Sequence, residues 1–88
     1  MRGAVGLDER VLETSHTVTA ELVGVIAGVL VAVGDRVGPT DPLVIMESMK
    51  MEIPVLADVA GVVAELAVRA GDVVGEGDVI SVIERTGS

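Results

Sequence analysis

The sequence predicts an all-β fold, closed as a sandwich or flattened barrel about a pseudo-two-fold axis. Three observations lead there. Valine supplies 19 of the 88 residues and aromatics supply none, so the core must be aliphatic, and β-branched side chains favour strands. Turn signals built on Gly, Pro and Asp recur at short, even spacing, as in small sandwiches and barrels. The chain also repeats itself. Shifted by 37 positions, residues 24–47 lie on residues 61–84 with ten of 24 positions identical, among them Gly24/Gly61, Gly34/Gly71, Asp35/Asp72, Asp41/Asp78 and Glu47/Glu84. Two repeats are too few for a solenoid, so the halves must close on each other.

Taken in order, residues 1–17 lack strand alternation and read as a flexible leader, with His16 a solvated tail histidine. Strands are expected at 18–23, 25–33, 36–38, 43–47, 52–56, 61–68, 73–75 and 79–83. Gly34-Asp35, the segment 39–42, Gly71-Asp72 and the segment 75–78 turn the chain between them. Residues 18–85 thus form one domain, and 86–88 are a short tail.

The single lysine, Lys50, falls at the centre of the first half in Glu47-Ser48-Met49-Lys50-Met51-Glu52. Leu43-Val44-Ile45-Met46 before it and Ile53-Pro54-Val55-Leu56 after it read as strand and return strand. Lys50 is therefore placed at a hairpin tip, held up to solvent. Two-residue hairpin turns favour Asn-Gly or Gly-X, because they need positive φ. Ordinary side chains at Met49-Lys50 override that rule, and such violations tend to mark functional sites. This centring sets Ser48 opposite Met51, Glu47 opposite Glu52 and Met46 opposite Ile53. The opposed carboxylates are either a recognition pattern for a partner or two solvated glutamates. Met49 and Met51 are either an apolar collar around the lysine or core gap-fillers, a frequent use of Met. The position 37 residues beyond Lys50 is Gly87, so only one half carries this tip.

Composition removes several function classes. The net charge is −8, with five Arg spread singly and no aromatics, so nucleic-acid binding is not expected. The longest uncharged stretch, residues 22–34, is too short to span a bilayer, which needs ~20 apolar residues. No membrane association is expected. No Cys is present, so zinc and thiol chemistry are unavailable and a cytoplasmic location fits. No Ser/His/Asp or Cys/His set exists, and Gly75-Glu76-Gly77 is too short and acidic to hold phosphate.

Ser48-Met49-Lys50-Met51 on a repeated β scaffold resembles the biotinyl domains of biotin carboxyl carrier proteins, whose tip is usually Ala-Met-Lys-Met. Gly71-Asp72-Val73-Val74 and Gly77-Asp78-Val79-Ile80 fit the same pattern, and the likeness covers about residues 18–85. It is greatest with short stand-alone biotinylated proteins. Ser48 stands for Ala, Thr40 for a Gly, and Ala20-Glu21-Leu22-Val23-Gly24 for a Pro-rich segment. No thumb insertion is present.

The resemblance implies two four-stranded antiparallel sheets forming a flattened barrel. It implies biotin joined through an amide to Lys50, with Met49 and Met51 beside the cofactor. The partners implied are a biotin protein ligase acting through biotinyl-AMP, a biotin carboxylase that uses ATP and bicarbonate, and a carboxyltransferase, as for an acyl-CoA carboxylase. The domain itself would be a monomeric, non-catalytic carrier. A lipoyl carrier is the alternative, but its tip is typically Asp-Lys-Ala, against which Met51 argues. A degenerate domain serving only interaction is a further reading, against which the intact tip argues.

Overall fold

A computed structural model of the protein describes residues 14–86. It contains eight strands: β1 (Ser15–Thr19), β2 (Gly24–Val29), β3 (Arg36–Val37), β4 (Pro42–Ser48), β5 (Met51–Leu56), β6 (Gly61–Leu66), β7 (Val73–Val74) and β8 (Val79–Arg85). They form two four-stranded sheets, ordered β1-β8-β6-β3 and β5-β4-β2-β7, with every pairing antiparallel. The two-sheet all-β architecture is the one expected.

The 37-residue offset is built into the structure. It carries β2 onto β6, β3 onto β7 and β4 onto β8 without change of length. With β1 taking the place of β5, it converts one sheet order into the other. The core follows the same operator. Ile26/Val63, Val37/Val74, Leu43/Ile80, Met46/Ile83 and Ala20/Ala57 are all buried. Register shifts fall between Ile26 and Gly28 in one sheet and between Val63 and Glu65 in the other. These matched bulges increase local twist and help two flat sheets close on one another. Ser81 takes the position of Val44 and is fully buried, and its hydroxyl donates to the Glu65 carbonyl at 2.6 Å. The interior therefore accepts a polar atom without leaving it unsatisfied.

The Gly-Asp turns work as a matched pair. Asp35 Oδ2 accepts from the Ala32 N–H at 2.9 Å, and Asp72 Oδ2 from the Arg69 N–H at 3.0 Å. Gly34 and Gly71 precede them at φ of 98° and 96°, a left-handed conformation open to glycine. Asp41 and Asp78 accept from the N–H groups of Gly38 and Gly75, each at 2.8 Å. Thr40, which stands where the second half has Gly77, does not need the positive φ that Gly77 adopts.

Several boundaries differ from expectation. β1 begins at Ser15, so three residues assigned to the leader belong to the sheet, where Ser15, His16 and Thr17 face Glu84, Ile83 and Val82. An edge strand is held by backbone pairing, which polar side chains supply as well as apolar ones. His16 is accordingly half-buried in a strand rather than free in a tail. Residues 1–13 of the expected leader lie outside the described residues, as do residues 87–88. Thr86, assigned to the tail, still donates its N–H to the Ala60 carbonyl at 3.2 Å. The strand expected at 18–23 stops at Thr19, because the chain there crosses from one sheet to the other and leaves Leu22 and Val23 exposed. The strand expected at 25–33 stops at Val29.

Candidate functional site

β4 is an inner strand, paired with β2 on one side and β5 on the other. Its buried Leu43, Val44 and Met46 anchor it in the core. The hairpin that follows has the register read from the sequence, with Met46 opposite Ile53, Glu47 opposite Glu52 and Ser48 opposite Met51. Met49 and Lys50 make the two-residue turn with φ of 53° and 66°. Positive φ at both central positions is the type I′ geometry that matches strand twist. Here it is imposed on two side-chain-bearing residues, a conformation that costs an L-residue about 1–2 kcal/mol. The backbone is thus held in an unfavourable shape at the one place where Lys50 projects into solvent.

The tip is braced from the side. The Ser48 hydroxyl donates to the Val23 carbonyl at 2.7 Å, tying the hairpin to the loop between β1 and β2. Gly24, the next residue, lies so near β4 that a Cβ would meet the Glu47 carbonyl oxygen at 2.6 Å. Ser48, which stands for Ala in the resemblance, supplies a hydroxyl that Ala lacks. Its bond crosses 25 positions of sequence, and no local pattern announces it.

The two methionines lie outside the core. Met49 is 91% exposed and Met51 62% exposed, whereas Met46 in the same hairpin is 2% exposed. Neither Met49 nor Met51 is a core gap-filler; both side chains lie in solvent beside Lys50. Glu47 and Glu52 are exposed and directly opposed. Val25 pairs with Glu47 on one side and Val73 on the other, so Glu52, Glu47, Val25 and Val73 form one row across the sheet. The equivalent row of the other sheet is Ser15, Glu84, Val62 and Arg36. The row in the tip-bearing sheet therefore lacks the basic residue that the other sheet's row carries, and the surface below Lys50 is acidic and apolar.

Among the described residues no group of three or more His, Cys, Asp or Glu side chains could hold a metal ion. Among them, too, no helix is long and apolar enough to cross a membrane. What the site offers chemically is one exposed primary amine on a braced turn.

Residues 14–83 match the biotin–lipoyl family described as "Biotin-requiring enzyme". A biotinylated protein TB7.3 homolog of Mycobacterium leprae is 54% identical over 42 residues, which cover 48% of this chain and 59% of the relative. Biotinylated protein TB7.3 of Mycobacterium tuberculosis is 52% identical over 42 residues with the same coverage. The matched segment thus spans about six-tenths of these relatives' length. A single-chain, multi-domain long-chain acyl-CoA carboxylase superposes on 83% of this chain with a TM-score of 0.78 and 32% identity, using 7% of its own length. Kluyveromyces lactis urea carboxylase superposes on 78% of this chain with a TM-score of 0.75 and 35% identity, using 6% of its length. With four-fifths of the sequence matched and the hairpin lysine in place, the chain belongs to the family of biotin-requiring enzymes.

Proposed function

We propose that this protein is a biotin carboxyl carrier, with biotin amide-linked to Lys50. The observation that carries the reading is the exposed, sole lysine on a type I′ turn made without glycine. When bound, biotin supplies a ureido nitrogen that can take up a carboxyl group and give it away. The chain's own contribution is presentation. β4 fixes the height of the tip, Ser48 and Gly24 hold it against the neighbouring loop, and the left-handed turn turns Lys50 outward. An amine attacks an acyl group well only when a partner takes up its proton and aligns an activated acyl donor, so attachment needs such a partner. A biotin protein ligase is that partner.

Glu47 and Glu52 mark the tip for a basic surface of the ligase, and Met49 and Met51 cover the stem of the arm. A biotin carboxylase and a carboxyltransferase use the loaded arm in turn. This agrees with the carboxylases in which the same fold occurs. Tethering gives each handoff an effective concentration of roughly millimolar. The domain works as a monomer, supplies no catalytic group, and acts in the cytoplasm. Biotin is favoured over lipoate because Met51 occupies the position after the lysine and the similar short proteins are described as biotinylated. The test is reconstitution with a biotin carboxylase, ATP and radiolabelled bicarbonate. Label should appear on the biotinylated protein, vanish with avidin, and be absent from Lys50→Arg. Label that ignores avidin would overturn the reading.

A further inference from the structure

Three methionines lie close together in the β4–β5 hairpin, and the structure treats them very differently. Met46 is 2% exposed on the inner face, Met49 is 91% exposed and Met51 is 62% exposed. The chain has no cysteine, so no thiol of its own competes for an oxidant. Thioether oxidation follows access to the sulfur. We propose that Met49 and Met51 are a reversible oxidation site, and that their sulfoxides close the tip to the enzymes that act on Lys50.

The oxidant is a peroxide. A sulfur lone pair attacks one peroxide oxygen, the S–O bond forms and the O–O bond breaks. With hydrogen peroxide the departing hydroxide takes the proton from the oxygen now on sulfur and leaves as water. Sulfur loses two electrons and the peroxide gains them; Lys50 takes no part. A thiol-dependent methionine sulfoxide reductase reverses the change: the S–O bond breaks, the oxygen leaves as water with two thiol protons, and the reductase thiols become a disulfide.

The consequence for Lys50 rests on the carrier reading. Any pocket that receives the lysine must also cover the residues on either side of it. As thioethers these are apolar, flexible and easily desolvated. As sulfoxides each carries a strong acceptor that loses its water on docking and finds no donor prepared for it. The buried Met46 is an internal control, because it shares the hairpin and the sequence neighbourhood but not the solvent.

The experiment uses the full, unbiotinylated chain. It is treated with graded hydrogen peroxide, quenched and digested with trypsin. Cleavage after Arg36, Lys50 and Arg69 puts Met46 and Met49 on residues 37–50 and Met51 on residues 51–69. Tandem mass spectrometry then separates Met46 from Met49. Met49 and Met51 should gain oxygen about tenfold faster than Met46 or more, with the circular dichroism spectrum unchanged. Biotin incorporation by a ligase should slow about tenfold after oxidation and recover after reductase treatment. A Met49→Leu, Met51→Leu variant, whatever its own rate, should be insensitive to peroxide. Equal oxidation of Met46, or an oxidised protein biotinylated at the reduced protein's rate, would overturn the proposal. So would a peroxide effect that persists in the double variant. A reduced protein that accepts no biotin would count against the carrier reading instead, while the order of oxidation is read from the peptides alone.

Discussion

Replacing Met49-Lys50 by Asn-Gly should make the protein more stable while abolishing its capacity for modification. Both residues sit in the left-handed region, at φ of 53° and 66°, and each costs about 1–2 kcal/mol there. Glycine removes that penalty at position 50 but adds about 0.5–1 kcal/mol of unfolded-chain entropy. Asparagine tolerates the conformation and relieves part of the penalty at position 49. Little packing is lost, because Met49 is almost wholly exposed. The net gain is then about 1–2 kcal/mol, a rise in Tm of about 5–15 °C for a domain of this size. The chain has no Trp or Tyr, so melting is followed by far-UV circular dichroism or calorimetry. Urea m-values should be unchanged, showing that the same surface unfolds. Lys50→Arg keeps the backbone conformation and should melt with the parent. An Asn-Gly variant melting at or below the parent would mean that the turn stores no strain.

Gly61→Ala should cost about 2 kcal/mol or more, because its Cβ would run into the Glu84 carbonyl and the Ile83 side chain. Gly28→Ala, whose Cβ meets nothing within 4 Å, should be near neutral; equal melting temperatures for the two would contradict the packing. Deleting residues 1–17 removes three of the five paired positions of β1, and a fall in Tm of several degrees is expected; an unchanged melt would show that this edge is dispensable. Glu47→Gln with Glu52→Gln should slow ligation at low salt, with the difference shrinking as salt rises, because exposed charges are screened beyond ~10 Å at 0.1 M. Ligation at the parent rate in low salt would reduce both glutamates to solvated surface. The same pair of changes should stabilise the hairpin by about 0.2–1 kcal/mol, by removing opposed like charges.

The symmetric part of the fold was legible because it repeats. An offset that aligns Gly34-Asp35 with Gly71-Asp72 also aligns buried Ile26 with Val63 and Met46 with Ile83, so one half predicts the other. The hairpin register was legible from the length of the turn alone. Once Met49-Lys50 is the tip, the pairs from Ser48–Met51 outward follow. β1 was less legible, because Ser15, His16 and Thr17 form an edge strand through backbone bonds that any side chain permits. Leu22 and Val23 misled in the other direction: they are apolar, yet they lie exposed where the chain changes sheets. The bond from Ser48 to Val23 and the close approach of Gly24 to Glu47 join distant segments, and no pattern along the chain encodes them. The roles of Met49 and Met51 could be narrowed only by burial, since Met serves equally in cores and on surfaces.

The carrier function depends on biotin being attached at Lys50. Its most direct test is the intact mass of the protein after incubation with a biotin protein ligase, biotin and ATP, beside a parallel reaction with a lipoate ligase and lipoate. The protein should gain one biotinyl group, mapped to Lys50 by loss of tryptic cleavage between residues 50 and 51. Lipoate should add nothing, and Lys50→Arg should gain nothing. A lipoyl adduct, an unmodified parent, or biotin on the arginine variant would contradict biotin attachment at Lys50.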